Sequence, residues 1–291
     1  MEQVKQIYTS GVKPVWCPGC GDYGVQAGIL KALNDLQIEK SKVVLVSGIG
    51  CSSAMPHVFS TYGIHSLHGR VLPVATGVKL ANDELTVIGT TGDGDAYGIG
   101  VAHLIHTARR NIDLTYIVMD NQIYGLTTGQ ASPTSLEGAK TKSTPFGDIE
   151  EPVNPIALAI SAGATYVARG FSGDPAHLAE LIKQGIVHKG FAIIDVFSPC
   201  VSFNTLNTFD WFRQRIYKID QSAYNPSDLS AAFEKATEAE RSNWSKIPIG
   251  LFYQVAKPAY SELDIALKNG SLIKQPQHTK EQVQELLEEY K

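Results

Sequence analysis

Short apolar runs rich in Val and Ile recur along the chain, at residues 43–47, 86–90, 114–119, 164–168 and 191–196. They show little polar alternation, the pattern of strands buried on both faces. Between them, residues 97–110, 155–162 and 175–187 repeat their apolar positions with the helical period. Strand, helix and strand in that order predict an α/β fold with a mainly parallel sheet and helices on both faces. A length of 291 residues fits one such domain spanning the chain. Residues 204–258 mix aromatic and polar side chains without a clear period. The last stretch, about 260–291, reads as an extension. Its TKEQVQELLEEY tail at 279–290 is an amphipathic helix, expected to lie on its own domain, with an arm gripping a partner as the alternative.

Composition narrows the classes. Hydrophobic residues make up 43% and charged residues 19%, as in ordinary globular chains. The formal net charge of −4 speaks against a general nucleic-acid binder. It leaves room for a local basic dock for an acidic protein partner. No apolar run is long enough to span a bilayer, and the first sixteen residues lack a signal-peptide core. The expectation is a cytoplasmic protein, with no membrane and no nucleic acid among its partners. In that compartment four cysteines are ligands or catalytic thiols rather than disulfides.

The first candidate chemistry is TVIGTTGDGD at 86–95. Gly92, Asp93 and Gly94 fall at the C-terminal end of a strand, where open α/β sheets bind ligands. Glycines there let backbone N–H groups approach a phosphate, and the following helix turns its positive end toward it. On its own the triplet is more often a plain turn. Here the next strand ends at Asp120-Asn121-Gln122, which brings Asp93 and Asn121 to one edge. A carboxylate, an amide oxygen and a loop carbonyl suit Mg²⁺. This arrangement resembles the thiamine-diphosphate enzymes. The resemblance implies Mg²⁺ bound by Asp93, Asn121 and the main-chain carbonyl of Ile123, with Gly94, Asp95, Gly125 and Leu126 against the diphosphate or thiazolium. Gln122 departs from that pattern, where many members carry a second Asn.

Cys17 and Cys20 form a CPGC turn, Cys51 follows the first strand, and Cys200 follows the strand at 191–196. Both strand ends lie on the edge that carries Asp93, and the CPGC loop can fold over it. A four-Cys zinc site and a 4Fe–4S cluster use the same ligands, and spacing does not separate them. Chemistry does, because a redox reaction beside a thiamine site needs an outlet for single electrons, which zinc does not provide.

Six segments then converge on one family. WCPGCGDYGV at 16–25, SGIGCSS at 47–53, HSLHGRVLPVATGVKLAN at 65–82, GDGDAYGIG at 92–100, NQIYGLTTGQASPT at 121–134 and SPCVSFN at 198–204 resemble the β subunit of 2-oxoacid:ferredoxin oxidoreductases, most of all the two-subunit archaeal type. The likeness runs in order through roughly the first 215 residues and is weaker beyond. It implies a 4Fe–4S cluster on Cys17, Cys20, Cys51 and Cys200. It places Ile49, Gly50, Cys51, Ser52 and His68 against thiamine diphosphate, with His68 and Leu126 next to the chemistry. His103 and His106 are assigned no role.

The implied reaction is oxidative decarboxylation of a 2-oxoacid to acyl-coenzyme A and carbon dioxide, with electrons leaving through the cluster to ferredoxin. Thiamine enzymes also need a Glu on the aminopyrimidine ring. In this family it resembles a contribution from a larger α subunit that holds the pyrimidine-binding domain, so a heterodimer or heterotetramer is expected. The loop 125–130 holds Leu126 and no cation, which predicts pyruvate-like substrates. The competing readings are a non-redox thiamine decarboxylase or transketolase half with zinc on its cysteines, and a zinc-stabilised nucleotide-binding module.

Overall fold

The computed structural model describes residues 8–268 and 270–289. The sequence reading of the extreme N-terminus, and of the last residue of the tail helix, falls partly outside them. One eight-stranded sheet organises the chain. Its strands are β1 (Val43–Ser47), β2 (Tyr62–His65), β3 (Thr86–Gly92), β4 (Leu114–Asp120), β5 (Tyr166–Phe171), β6 (Phe191–Phe197), β7 (Ile216–Lys218) and β8 (Ile247–Gln254). The order across the sheet is β2-β1-β3-β4-β6-β5-β8-β7. Every pairing is parallel except β5 with β8.

The α-helices are α1 (Asp22–Leu36), α2 (Val71–Ala81), α3 (Val101–Arg110), α4 (Pro155–Ser161), α5 (Pro175–Val187), α6 (Phe209–Arg213), α7 (Leu229–Ala236), α8 (Glu238–Arg241), α9 (Tyr260–Leu263) and α10 (Lys280–Glu288). Side chains alternate across each strand. In β1, Val44 and Val46 therefore pack with α2, α3, α4 and α7 on one face. Val43 and Leu45 pack with α1 and α5 on the other. Both faces are covered, as the buried strand patterns require. None of the described helices is long and apolar enough to cross a membrane.

Two elements differ from the sequence reading. The helix expected from residue 97 is broken at its start. Gly94–Ile99 forms a wide π-type turn, Gly98 leaves helical geometry at φ −82° and ψ −105°, and α3 begins only at Val101. A glycine with no side chain to pack accepts that break readily, and such wide turns concentrate at functional sites. The tail helix α10 buries none of its residues, so it does not lie on its own domain as expected.

Candidate functional site

Strands β1, β3, β4 and β6 end on one edge of the sheet, and the loops after β1, β3 and β4 surround a cavity of about 240 Å³. β3 runs out at Gly92, so Asp93 leaves the sheet inside this cavity. β4 runs out at Asp120, which delivers Asn121 and Ile123 to the same wall. The proposed Mg²⁺ ligands are thus side by side in space.

Asp93 is 2% exposed, and its Oδ2 accepts from the hydroxyls of Ser132 (2.5 Å) and Thr134 (2.7 Å). Burial pushes its carboxyl up to about 6, against the pull of those hydroxyls. Such a carboxylate is suited to meet a cation, because an unpaired buried negative charge is costly. Asn121 holds an Asx turn in which its Oδ1 accepts from the Ile123 N–H at 3.1 Å. Its main-chain carbonyl accepts from Asn204 Nδ2 at 2.9 Å.

Beneath these ligands, Thr134 Oγ1 lies 2.8 Å from Asp120 Oδ1 as well as beside Asp93. A hydroxyl has one proton and cannot donate to both carboxylates. Burial, then the charges of Asp195 and Asp93, hold Asp120 well above the usual carboxylate range. Thr134 Oγ1 therefore serves one of the two carboxylates at a time.

The remaining residues expected at a cofactor also line this cavity: Ile49, Gly50, Cys51 and Ser52 after β1, then His68, Gly94, Asp95, Gly125 and Leu126. Their roles are not alike. The Asp95 carboxylate is taken up by the protein itself. It accepts from Gly69 N–H (2.6 Å) and Thr91 Oγ1 (2.5 Å) and holds His68 Nδ1 at 2.5 Å. Asp95 therefore orients the His68 ring, and what it offers a diphosphate is main chain. Gly94 is required by Tyr124, since a Cβ there would come within 2.1 Å of the Tyr124 ring, whose hydroxyl donates to the Gly94 carbonyl. The Ser52 hydroxyl is buried without a partner and borders the same space.

The four thiols are brought together as well. The CPGC loop is tied across the edge by Trp16 Nε1 donating to the Cys51 carbonyl (2.7 Å) and Gly21 N–H donating to the Pro199 carbonyl (3.1 Å). A Cβ on Gly125 would lie 3.4 Å from Cys200 Sγ and 4.0 Å from Cys51 Sγ, so these two sulfurs stand behind the cavity wall. Burial first, then Asp22 and the neighbouring thiols Cys200 and Cys17, pushes the Cys51 thiol up to about 11. Burial, Asp22 and the thiols of Cys200 and Cys51 push Cys20 up as well. All four are free. Among the described residues, no three His, Cys, Asp or Glu side chains converge tightly enough to hold a single metal ion.

Sequence reasoning missed several residues here. Asp22, Tyr124 and Thr127 line the cavity. Asp22 is 2% exposed, accepts from Ser198 Oγ at 3.0 Å and leaves Oδ2 without a partner. Ser132 and Thr134 position Asp93. All five stand inside the quoted motifs, but small polar residues in a loop carry no period that marks them. One reading is extended. The loop 125–130 itself holds no cation, as read, but Lys142 brings one to it from outside, its Nζ donating to Thr128 Oγ1 at 2.9 Å. Spacing along the chain hid this, since the lysine arrives from fourteen residues further on.

Known proteins share this arrangement. Residues 48–196 match the family "Thiamine pyrophosphate enzyme, C-terminal TPP binding domain", and residues 200–269 match the C-terminal family of the pyruvate ferredoxin oxidoreductase beta subunit. The chain is 46% identical to a 2-oxoacid:ferredoxin oxidoreductase subunit beta of Saccharolobus solfataricus, over 90% of this chain and 88% of that one. It is 41% identical to the 2-oxoglutarate synthase subunit KorB of Methanocaldococcus jannaschii, over 85% and 90%. Among solved structures, a 2-oxoglutarate:ferredoxin oxidoreductase from Magnetococcus marinus, with 2-oxoglutarate, coenzyme A and succinyl-CoA bound, superposes with a TM-score of 0.90 at 40% identity. That match covers 97% of this chain and 95% of that one.

Proposed function

Because the chain belongs to the β subunits of the 2-oxoacid:ferredoxin oxidoreductases, we propose that it carries Mg²⁺–thiamine diphosphate in the 240 Å³ cavity and a 4Fe–4S cluster on Cys17, Cys20, Cys51 and Cys200. With a larger α subunit it converts a 2-oxoacid and coenzyme A to acyl-coenzyme A and carbon dioxide. The two electrons released pass one at a time to ferredoxin. The observation that carries this reading is the shared edge: Asp93 and Asn121 line the cavity, while Cys51 and Cys200 stand directly behind Gly125.

The residues present fit both groups. Asp93, Asn121 and the Ile123 carbonyl form the hard oxygen set that Mg²⁺ prefers. Gly94 keeps its backbone open, and the orphaned Ser52 hydroxyl offers a hydrogen bond. When bound, thiamine diphosphate supplies the electron sink for decarboxylation and the cluster supplies one-electron transfer. The chain's own residues position and shield. Asp93, steadied by Ser132 and Thr134, fixes the metal end. His68, steadied by Asp95, presents its free ring nitrogen to the cavity. Leu126, 58% exposed at the rim, excludes water once a partner covers it. The cavity is smaller than the roughly 300–1,000 Å³ of a complete ligand site, which suits the diphosphate half of a cofactor whose pyrimidine half is held by the α subunit. Residues 1–291 act as one such domain in the cytoplasm, with the exposed α10 directed at the partner.

Pyruvate-like substrates were expected because the loop 125–130 lacks a cation. The Lys142 ammonium that reaches Thr128 comes from outside that loop, and pyruvate-like acids stay the proposed substrates.

The test is elemental. Anaerobically purified chain is expected to be brown, with iron and acid-labile sulfide in near-equal amounts. Colourless protein with stoichiometric zinc overturns the cluster and favours a non-redox thiamine enzyme.

A further inference from the structure

The turn Gly94–Ile99 is anchored at two ends by different means. At its near end the Tyr124 hydroxyl donates to the Gly94 carbonyl, and the Asp95 carboxylate accepts from Gly69 N–H and Thr91 Oγ1. At its far end the helical ladder breaks. Gly98 leaves helical geometry, so α3 starts afresh at Val101 instead of continuing the turn. The anchor there is a side chain. Tyr97 is buried, and its hydroxyl donates to Asp195 Oδ1 at 2.8 Å. Asp195 belongs to β6, two strands away from the β3 that the turn follows.

Asp195 is itself braced. Arg169 stands opposite it in register on β5, and Arg169 Nε donates to Asp195 Oδ2 at 3.2 Å. The guanidinium lies 4.9 Å from the centre of the Phe197 ring and 5.8 Å from that of Phe252. Both members of the pair are buried, and Arg169 Nη1 has no partner. Desolvating two charges offsets most of their attraction, so apolar residues of the same volume commonly serve a fold as well as a buried ion pair. Here the pair sits among Val167, Ile193 and Phe252 in an otherwise apolar layer, and its second carboxylate oxygen goes to a residue of the cofactor turn.

We propose that Tyr97 is a positioning residue for cofactor binding. Asp195, braced by Arg169, holds the Tyr97 hydroxyl, and that hydrogen bond keeps the turn in the shape in which the main chain of Gly94 and Asp95 meets the diphosphate. The inference rests on the function proposed above. Tyr97 does not border the cavity, whereas Gly94 and Asp95 do, so it acts through the backbone of the residues just before it. Without the hydroxyl, the near end of the turn stays tied by Tyr124 and Asp95 while the far end is released. Binding must then order it, and that ordering weakens affinity.

The experiment uses the complex assembled with the α subunit and freed of thiamine diphosphate. Kd for Mg²⁺–thiamine diphosphate, Tm, and kcat at saturating cofactor are measured for wild type, Tyr97→Phe, Asp195→Asn and Tyr166→Phe. Tyr97→Phe is expected to raise Kd about fivefold or more, the worth of one hydrogen bond, with kcat within about twofold. Asp195→Asn is expected to lower Tm most, because Arg169 loses its counter-charge. Its amide oxygen still accepts from Tyr97, so Kd stays within about twofold. Tyr166→Phe removes another buried hydroxyl, one that donates to the Leu181 carbonyl on the other face of the sheet. It is expected to lower Tm and leave Kd unchanged. Wild-type Kd in Tyr97→Phe overturns the proposal. So does an equal rise in Tyr166→Phe, which marks the loss as a general effect of destabilisation, or in Asp195→Asn, which assigns it to the charge. If Asp195→Asn does not fold, the two tyrosine variants decide alone. All of these results leave the function proposed above standing. A wild-type complex that takes up no Mg²⁺–thiamine diphosphate fails that function itself, and this proposal with it.

Discussion

Asp93 owes its role to what surrounds it rather than to the GDG triplet. A lone carboxylate in a glycine turn is a common surface feature, and the sequence could not show that Ser132 and Thr134 clamp it from thirty-nine and forty-one residues away. What was legible was the residue type at the strand end. What was not was its support, because hydroxyl donors reach it only through the fold. Asp93→Ala should leave these hydroxyls without their acceptor and the bound cation without its counter-charge. Uncompensating a buried charge costs roughly 3–5 kcal/mol. Affinity for Mg²⁺–thiamine diphosphate should therefore fall by about a hundredfold or more, measured by calorimetric titration, with the far-ultraviolet dichroism unchanged. Wild-type affinity in this variant would remove Asp93 from the metal site.

Elements were legible in proportion to how strictly burial disciplined them. The five runs read as strands all correspond to strands of the central sheet, because each is covered on both faces. β2 is exposed along its whole length, β7 is three residues long, and β8 carries Pro248 and Gly250 within it. None of the three presents an apolar run free of contrary signals. The helices α1 and α2 went unread for a different reason. α1 starts without a side-chain cap, and α2 holds Pro73, Gly77 and three β-branched valines, so tertiary packing rather than propensity makes it a helix. The turn Gly94–Ile99 carries a sharper test. Gly94→Ala brings a methyl against the Tyr124 ring, and overpacking of this kind costs about 1–3 kcal/mol. For a chain of this size the melting temperature should drop by a few degrees per kcal/mol. Gly94→Ala combined with Tyr124→Ala should recover most of that loss. If the double variant melts no higher than the single one, the contact is not what fixes the glycine.

At the scale of the whole molecule, several large apolar side chains stand in solvent at the cavity and on residues 139–149. Leu126 is 58% exposed, Phe146 98% and Ile149 92%. Large apolar side chains left in solvent mark an interaction surface where they cluster. The isolated chain should therefore show no 2-oxoacid-dependent reduction of ferredoxin or a viologen dye, and adding the α subunit should restore it. Turnover by the chain alone would mean that no partner completes the site.

The CPGC loop described above has a bearing on biogenesis. Cys17 leaves the ribosome early, whereas Cys200 follows β6, and β6 must insert between β4 and β5 before its end reaches the loop. Four thiols that meet only through such long-range strand pairing do not form a binding site in the nascent or unfolded chain. Delivery of the proposed cluster is then a late, post-translational step on an already folded sheet, before a partner subunit covers the same edge.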